Sequence, residues 1–175
     1  LMAVRILSGE EVREALPMPA AIEAMREAFG LLAAGRAEVP LRTQVKVPGQ
    51  DAVAVVMPGW CGVPLGLGAK IVSVFPRNPA AGRPLIHAAV VLLDGETGEV
   101  AALLEGTELT AIRTGAASGL ATDLLARPDA RRVAIIGSGA QARTQLLAVC
   151  CVRKVESVSV YSRTPAHAAR FADEM

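Results

Sequence analysis

Arg132-Val133-Ala134-Ile135-Ile136-Gly137-Ser138-Gly139-Ala140-Gln141-Ala142 is the stretch on which the fold turns. Its first half is a short apolar run of the kind that forms a parallel strand buried on both faces. Its second half is Gly-x-Gly-x-x-Ala opening a helix that extends to about residue 152, and a second apolar strand follows over 155–161. A lone Gly-x-Gly-x-x-Ala is a weak signal; a strand before it and a helix after it, within one βαβ-sized unit, give it meaning. Gly137 allows the tight turn and Gly139 lets the backbone come against a pyrophosphate. Ala142 permits close packing of helix on strand, and the helix N-terminus offers free N–H groups to an anion. Gly137, Ser138, Gly139, Ala140, Gln141 and Ala142 are therefore the candidate dinucleotide-binding turn. The bland alternative is a strand-to-helix turn that binds nothing.

The end of the second strand discriminates between cofactors. A site preferring NAD usually carries Asp or Glu there, bonded to the ribose hydroxyls. Here the chain reads Tyr161-Ser162-Arg163-Thr164, with Ser162 twenty-five residues after Gly137. A guanidinium and hydroxyls stand where a carboxylate would repel a 2′-phosphate. Ser162, Arg163 and Thr164 thus point to NADPH, with NADH possible. The competing reading makes Arg163 a solvated residue at the start of the next helix.

N-terminal to this unit, Pro128-Asp129-Ala130-Arg131-Arg132 is polar and turn-forming, and it marks the expected domain boundary. The preceding helix spans about 107–126, capped by Thr107 and ended by Pro128. Its middle, Gly115-Ala116-Ala117-Ser118-Gly119, is small enough for a backbone or ligand to approach closely. Strands are expected over 42–47, 52–57, 68–75, 85–93 and 99–104. A hairpin connection at Asp94-Gly95-Glu96-Thr97-Gly98 joins the last two, and a proline-rich loop covers 76–84. Ser8-Gly9-Glu10-Glu11 has the spacing of a capping box, and Pro17 ends the short helix that it starts. A second helix from about Pro19 carries Ile22, Met25, Phe29 and Leu32 at helical spacing, with Gly35 as its stop. The expected fold is α/β: an N-terminal α+β domain over 1–128, followed by the start of a Rossmann domain over 129–175.

Composition excludes several function classes. Eighteen Lys and Arg against seventeen Asp and Glu give a net charge of +1, without the basic field that a nucleic acid requires. No apolar run reaches the length of a membrane span, and no basic segment precedes an apolar core at the N-terminus. A soluble, cytoplasmic protein is the expectation. Cys61, Cys150 and Cys151 form no disulfide framework and have no metal-ligand spacing, so they read as small apolar core residues. His87 and His167 are isolated, and His87 reads as a core residue. No metal site is expected.

With these residues in view, the chain resembles the ornithine cyclodeaminase/μ-crystallin family. The segments that carry the resemblance are Leu85-Ile86-His87 leading into Val90-Val91-Leu92-Leu93-Asp94, then Glu105-Gly106-Thr107-Glu108-Leu109-Thr110-Ala111-Ile112-Arg113-Thr114. The 137–142 turn and Ser162-Arg163-Thr164 continue it in order. The resemblance implies a homodimer built through the N-terminal domain, which also binds substrate, and an active site between that domain and the Rossmann domain. It implies hydride transfer between NAD(P) and the α-carbon of a small amino or imino acid. Ketimine reductases reduce a C=N bond; cyclodeaminases convert ornithine to proline with loss of ammonia; μ-crystallin-like members bind NADPH or a small ligand. A ketimine reductase is the leading expectation. Arg42 and Arg113 resemble the arginines that hold the substrate carboxylate. Lys70 resembles the active-site lysine, which neutralises the carboxylate or moves a proton to nitrogen, and Thr114 lies near the cofactor. From spacing alone, Arg42 and Lys70 could equally be solvated strand residues, and Arg113 a snorkelling surface arginine. Ala88 stands where cyclodeaminases carry threonine, which points away from ornithine. The chain ends in what should be the second Rossmann helix, at about half the family's length, so it is expected to be a fragment of marginal stability with an exposed apolar sheet edge.

Overall fold

The computed structural model describes residues 3–62 and 65–175. The architecture is mixed α/β, and the chain divides into two compact units. The first comprises residues up to Ala15 and Ala28–Leu109; the second comprises Leu16–Glu27 and Thr110–Met175.

The first unit is built on a seven-stranded sheet. Its strands are β1 (Arg5–Leu7), β2 (Ala37–Glu38), β3 (Thr43–Val47), β4 (Ala52–Gly62), β5 (Leu65–Val74), β6 (Ile86–Leu93) and β7 (Val100–Glu105). The order is β1-β7-β6-β5-β4-β2, with β3 also pairing β4. Every pairing is antiparallel except that of β1 with β7. The strands expected at 52–57 and 68–75 are longer and form one hairpin whose register runs from Val53↔Val74 to Gly62↔Leu65. β1 and β2, at three and two residues, are too short to show a period in the sequence.

Local polar chemistry sets the ends of these elements. Ser8 and Glu11 form the expected capping box ahead of α1 (Gly9–Ala15): the Ser8 amide donates to Glu11 Oε2 at 2.7 Å, and the Glu11 amide donates to Ser8 Oγ at 3.3 Å. Between β6 and β7 the Asp94 carboxylate accepts from the amides of Thr97 and Glu96 and from the Thr97 hydroxyl. These bonds, the Thr97 amide foremost, hold its carboxyl below the ordinary aspartate range. α2 (Met18–Ala33) ends at Gly35, as its left-handed φ of 66° requires. Its buried face, however, is Ala21, Ile22 and Leu31; Phe29 and Leu32 remain half exposed. Ala21 and Ile22 belong to the second unit and Leu31 to the first.

The second unit holds a two-stranded parallel sheet, β8 (Arg132–Ile136) and β9 (Ser157–Tyr161), linked by α4 (Ala140–Val152) and followed by α5 (Pro165–Glu174). This is the βαβ unit anticipated from the glycine motif. Phe171 of α5 is 1% exposed, and the Arg143 guanidinium lies 5.6 Å over its ring. Most of α3 (Gly106–Leu125) belongs to this unit, although it precedes the Pro128 turn. Its small patch explains why. A Cβ at Gly115 would lie 2.5 Å from the Thr144 carbonyl oxygen, and one at Gly119 would lie 2.9 Å from Ala148 Cβ. The glycines let the backbone of α3 close onto α4, and Ala116 and Ala148 are fully buried.

Arg153 completes that seam. Its side chain is 9% exposed, and its guanidinium donates to the carbonyls of Thr122, Asp123, Ala126 and Arg127 at 2.9–3.2 Å. These carbonyls lie in the last turn of α3 and the two residues after it, where intrahelical partners run out; that of Thr122 also accepts from the Ala126 amide. The start of α3 differs from expectation. The cap is the Glu105 carboxylate, which accepts from the Thr107 amide at 2.9 Å and the Glu108 amide at 2.7 Å, rather than Thr107. A carboxylate at a helix N-terminus satisfies two orphan amides and opposes the positive end of the helix dipole.

Candidate functional site

The site begins at the junction of β8 and α4. The amide of Gly137 donates to the Tyr161 carbonyl at 2.8 Å, tying the ends of β8 and β9 together. Gly137 then takes φ 102°, a conformation strained for any residue with a Cβ. Gly139 is different. Its φ of −78° and ψ of −176° are open to every L-residue, and no protein atom lies within 4 Å of a Cβ built there. Neither conformation nor packing within the chain requires glycine at 139. Glycine at 139 leaves the backbone of the turn open to close approach. As the N-cap of α4, Gly139 supplies no side chain to the first turn; the Ala142 amide donates to the Gly139 carbonyl at 3.1 Å, and no side chain caps the amides of Ala140 and Gln141.

Two cavities meet here. One, of about 400 Å³, is lined by Gly137, Ser138 and Gly139 together with Tyr161, Ser162, Arg163 and His167. The other, of about 640 Å³, is bounded by β8, α3 and α4 and includes Ser118, Gln141, Gln145 and Arg153. Gly137 and Gly139 line both, so the turn is the threshold between them. Among the described residues, no group of three His, Cys, Asp or Glu is placed to hold a metal ion.

Of the candidate cofactor residues, Gly137, Ser138, Gly139, Ser162 and Arg163 come together around the smaller cavity, whereas Thr114, Ala140, Gln141, Ala142 and Thr164 do not line it. Ala142 lines the larger one. Thr164 is the N-cap of α5, but its hydroxyl makes no capping bond. Arg113 is exposed beside the buried stripe Ile112, Ala116 and Leu120 of α3. Thr114, next to it, donates its hydroxyl to the Thr110 carbonyl at 2.6 Å.

Arg42 and Lys70 belong to the first unit. Arg42 is exposed and lies one residue before β3, outside the strand expected to begin with it. Lys70 is half-buried in β5, opposite Met57 on β4 and Val90 on β6. β3 pairs Thr43 with Val56, so extending that register puts Arg42 opposite Met57. Residues opposite one another share a sheet face. On that extension Arg42 would share the face of Lys70, two strand spacings or about 10 Å away.

His87 is exposed rather than buried in a core. It faces Glu105, whose partner Ala89 lies two residues along the same strand. Burial pushes the Glu105 carboxyl up; the amides of Glu108 and Thr107, the Thr107 hydroxyl and the charge of His87 outweigh it and hold the group below the ordinary glutamate range. Cys150 and Cys151 are exposed on α4 and Cys61 is half-buried, so the core role expected of the cysteines does not hold for the adjacent pair. In the sequence His167 stands only as an isolated histidine, with no site assigned to it. Its spacing of four from Arg163 was the available signal, but spacing becomes informative only once α5 is known to start at Pro165.

No helix among the described residues is long and apolar enough to cross a membrane. The sequence is 40% identical over 167 residues to a Δ1-pyrroline-2-carboxylate reductase of Bacillus cereus, a match covering 95% of this chain and 51% of that protein. The fold superimposes on Thermococcus litoralis Δ1-pyrroline-2-carboxylate reductase in complex with NADH and L-proline, with a TM-score of 0.91 and 43% identity, over 98% of this chain and 53% of that one. An archaeal alanine dehydrogenase dimer with bound NAD matches with a TM-score of 0.91 and 34% identity, over 99% and 53%. The chain thus spans about half the length of the relatives it matches. The sequence profile of the ornithine cyclodeaminase/mu-crystallin family matches residues 2–175, and the chain belongs to that family.

Proposed function

We propose that the protein serves a nicotinamide-dependent enzyme that reduces the C=N bond of a small cyclic imino acid, with NADPH as the preferred cofactor and NADH possible. The observation that carries this reading is Gly139, a glycine that neither the chain's conformation nor its packing explains, lining two cavities at a helix N-terminus that no side chain caps. The residues fit a dinucleotide: the 137–142 turn takes the pyrophosphate, and Ser162, Arg163 and Thr164 take the adenosine ribose and its 2′-phosphate. The names of its relatives, two of them reductases of an imino acid, support the choice of substrate class.

A reduced nicotinamide bound there supplies hydride to the imine carbon. The protein's own part is orientation and proton supply. Arg42 and Arg113 hold the substrate carboxylate, for which a planar guanidinium is suited by its bidentate geometry. Lys70 neutralises the carboxylate or delivers the proton that the imine nitrogen needs as the C=N bond becomes C–N. Thr114 sits near the cofactor. Residues 1–128 form the substrate-binding and dimerising part and 129–175 the opening of the nucleotide-binding part, within a homodimer.

The test is NADPH oxidation by the purified protein with Δ1-pyrroline-2-carboxylate or piperideine-2-carboxylate. Turnover that Lys70→Met abolishes is the expected result. Nucleotide binding with no oxidation, accompanied by ammonia release from ornithine, would replace the reductase with a cyclodeaminase. Nucleotide binding without any turnover would make this a binding protein.

A further inference from the structure

The cavity at the end of β9 carries one residue that the proposed function leaves unused. His167 lines it together with Ser162, Arg163 and the glycine turn. The ionisable and polar side chains around this cavity are a guanidinium, an imidazole, a phenol and two hydroxyls; none is a carboxylate. Arg163 forms no ion pair among the described residues, so its charge is not already committed. His167 stands on the first turn of α5, and its amide donates to the Thr164 carbonyl at 3.0 Å. The imidazole is therefore carried by helical backbone at a fixed offset from Arg163.

We propose that His167 is a specificity-determining residue, which with Arg163 forms a two-pronged donor set for the 2′-phosphate of a dinucleotide. The inference rests on the dinucleotide reading above and adds to it a second group that separates NADPH from NADH. A phosphate presents three acceptor oxygens in a tetrahedral array. A guanidinium engages one edge of it, and a ring N–H approaching from the adjacent helix turn reaches an oxygen that the guanidinium leaves free. A site that prefers the unphosphorylated ribose commonly carries a carboxylate for its hydroxyls, and the lining of this cavity holds none.

The test is calorimetric titration with 2′,5′-ADP and with 5′-AMP, which differ only in the 2′-phosphate. The unaltered protein binds 2′,5′-ADP more tightly. His167→Ala lowers affinity for 2′,5′-ADP about tenfold and leaves 5′-AMP within about twofold, as loss of one charge-assisted hydrogen bond predicts. His167→Arg restores the difference. Equal loss for both ligands would mean that the imidazole touches adenine or ribose, and it would overturn the proposal; so would no loss for either. If the unaltered protein binds both ligands equally, the phosphate pocket is refuted while the dinucleotide site stands. If it binds neither, the dinucleotide reading fails first.

Discussion

At the scale of single residues, Gly137 and Gly139 make opposite demands although they stand two positions apart. Gly137 is required by the backbone, whose φ of 102° strains any side-chain-bearing residue. Gly137→Ala should therefore cost about 1–2 kcal/mol in urea unfolding, whether or not nucleotide is present. Gly139 meets no such demand. Gly139→Ala should leave stability within about 0.5 kcal/mol but weaken NADPH binding about tenfold, read by nicotinamide fluorescence. A Gly139→Ala protein that keeps full NADPH affinity would remove the main support for a pyrophosphate over this turn. The pattern Gly-x-Gly-x-x-Ala shows both positions as glycine; only the backbone angles tell them apart.

The elements are held by side chains that reach their ends, and two of these can be tested. Arg153 satisfies four carbonyls at the C-terminus of α3 from a side chain only 9% exposed. Arg153→Met keeps the apolar stem but strips the donors, and thermal or urea unfolding should register a loss of about 2 kcal/mol. A loss no larger than that of a surface substitution would mean that water replaces the guanidinium without cost. Glu105 caps the other end of the same helix. Its carboxyl is held below the ordinary glutamate range in the folded state, so the stability it adds is full above that range and is lost as pH falls through the folded value. Glu105→Gln should accordingly be less stable by about 1 kcal/mol at neutral pH, with the gap closing in acid. A gap that does not change with pH would show that the charge plays no part. Neither device was legible in advance. Thr107 offered a commoner capping residue, and Arg153 lies some thirty residues from the carbonyls it serves, a separation that leaves no local pattern.

For the molecule as a whole, the first unit's sheet leaves one face rich in exposed apolar side chains. Ile6 pairs with Leu103, and Val45 and Ile71 alternate onto that same face, away from Lys70. Exposed apolar side chains on one face are what the homodimer proposed above would cover. Ile71 is 45% exposed, so Ile71→Lys can fold, and sedimentation should show it shifted from dimer to monomer with an unchanged circular dichroism spectrum. A protein that sediments as a monomer before substitution would refute the dimer.

The sequence by itself determined the mixed α/β class, the βαβ unit at the glycine turn, the Ser8–Glu11 capping box and the hairpin closed by Asp94. Each is written in residues within a few positions of one another, where period, turn chemistry and backbone sterics act without help from the rest of the chain. Tertiary structure alone decided that Gly115 and Gly119 draw α3 onto α4, that α2 buries Leu31 rather than Phe29, and that His167 lines the cavity of Arg163. It also set Lys70 between Met57 and Val90 and left Arg42 just outside β3. Those facts depend on which distant surfaces meet. Close packing and strand register fix that choice, and neither leaves a period in the local sequence.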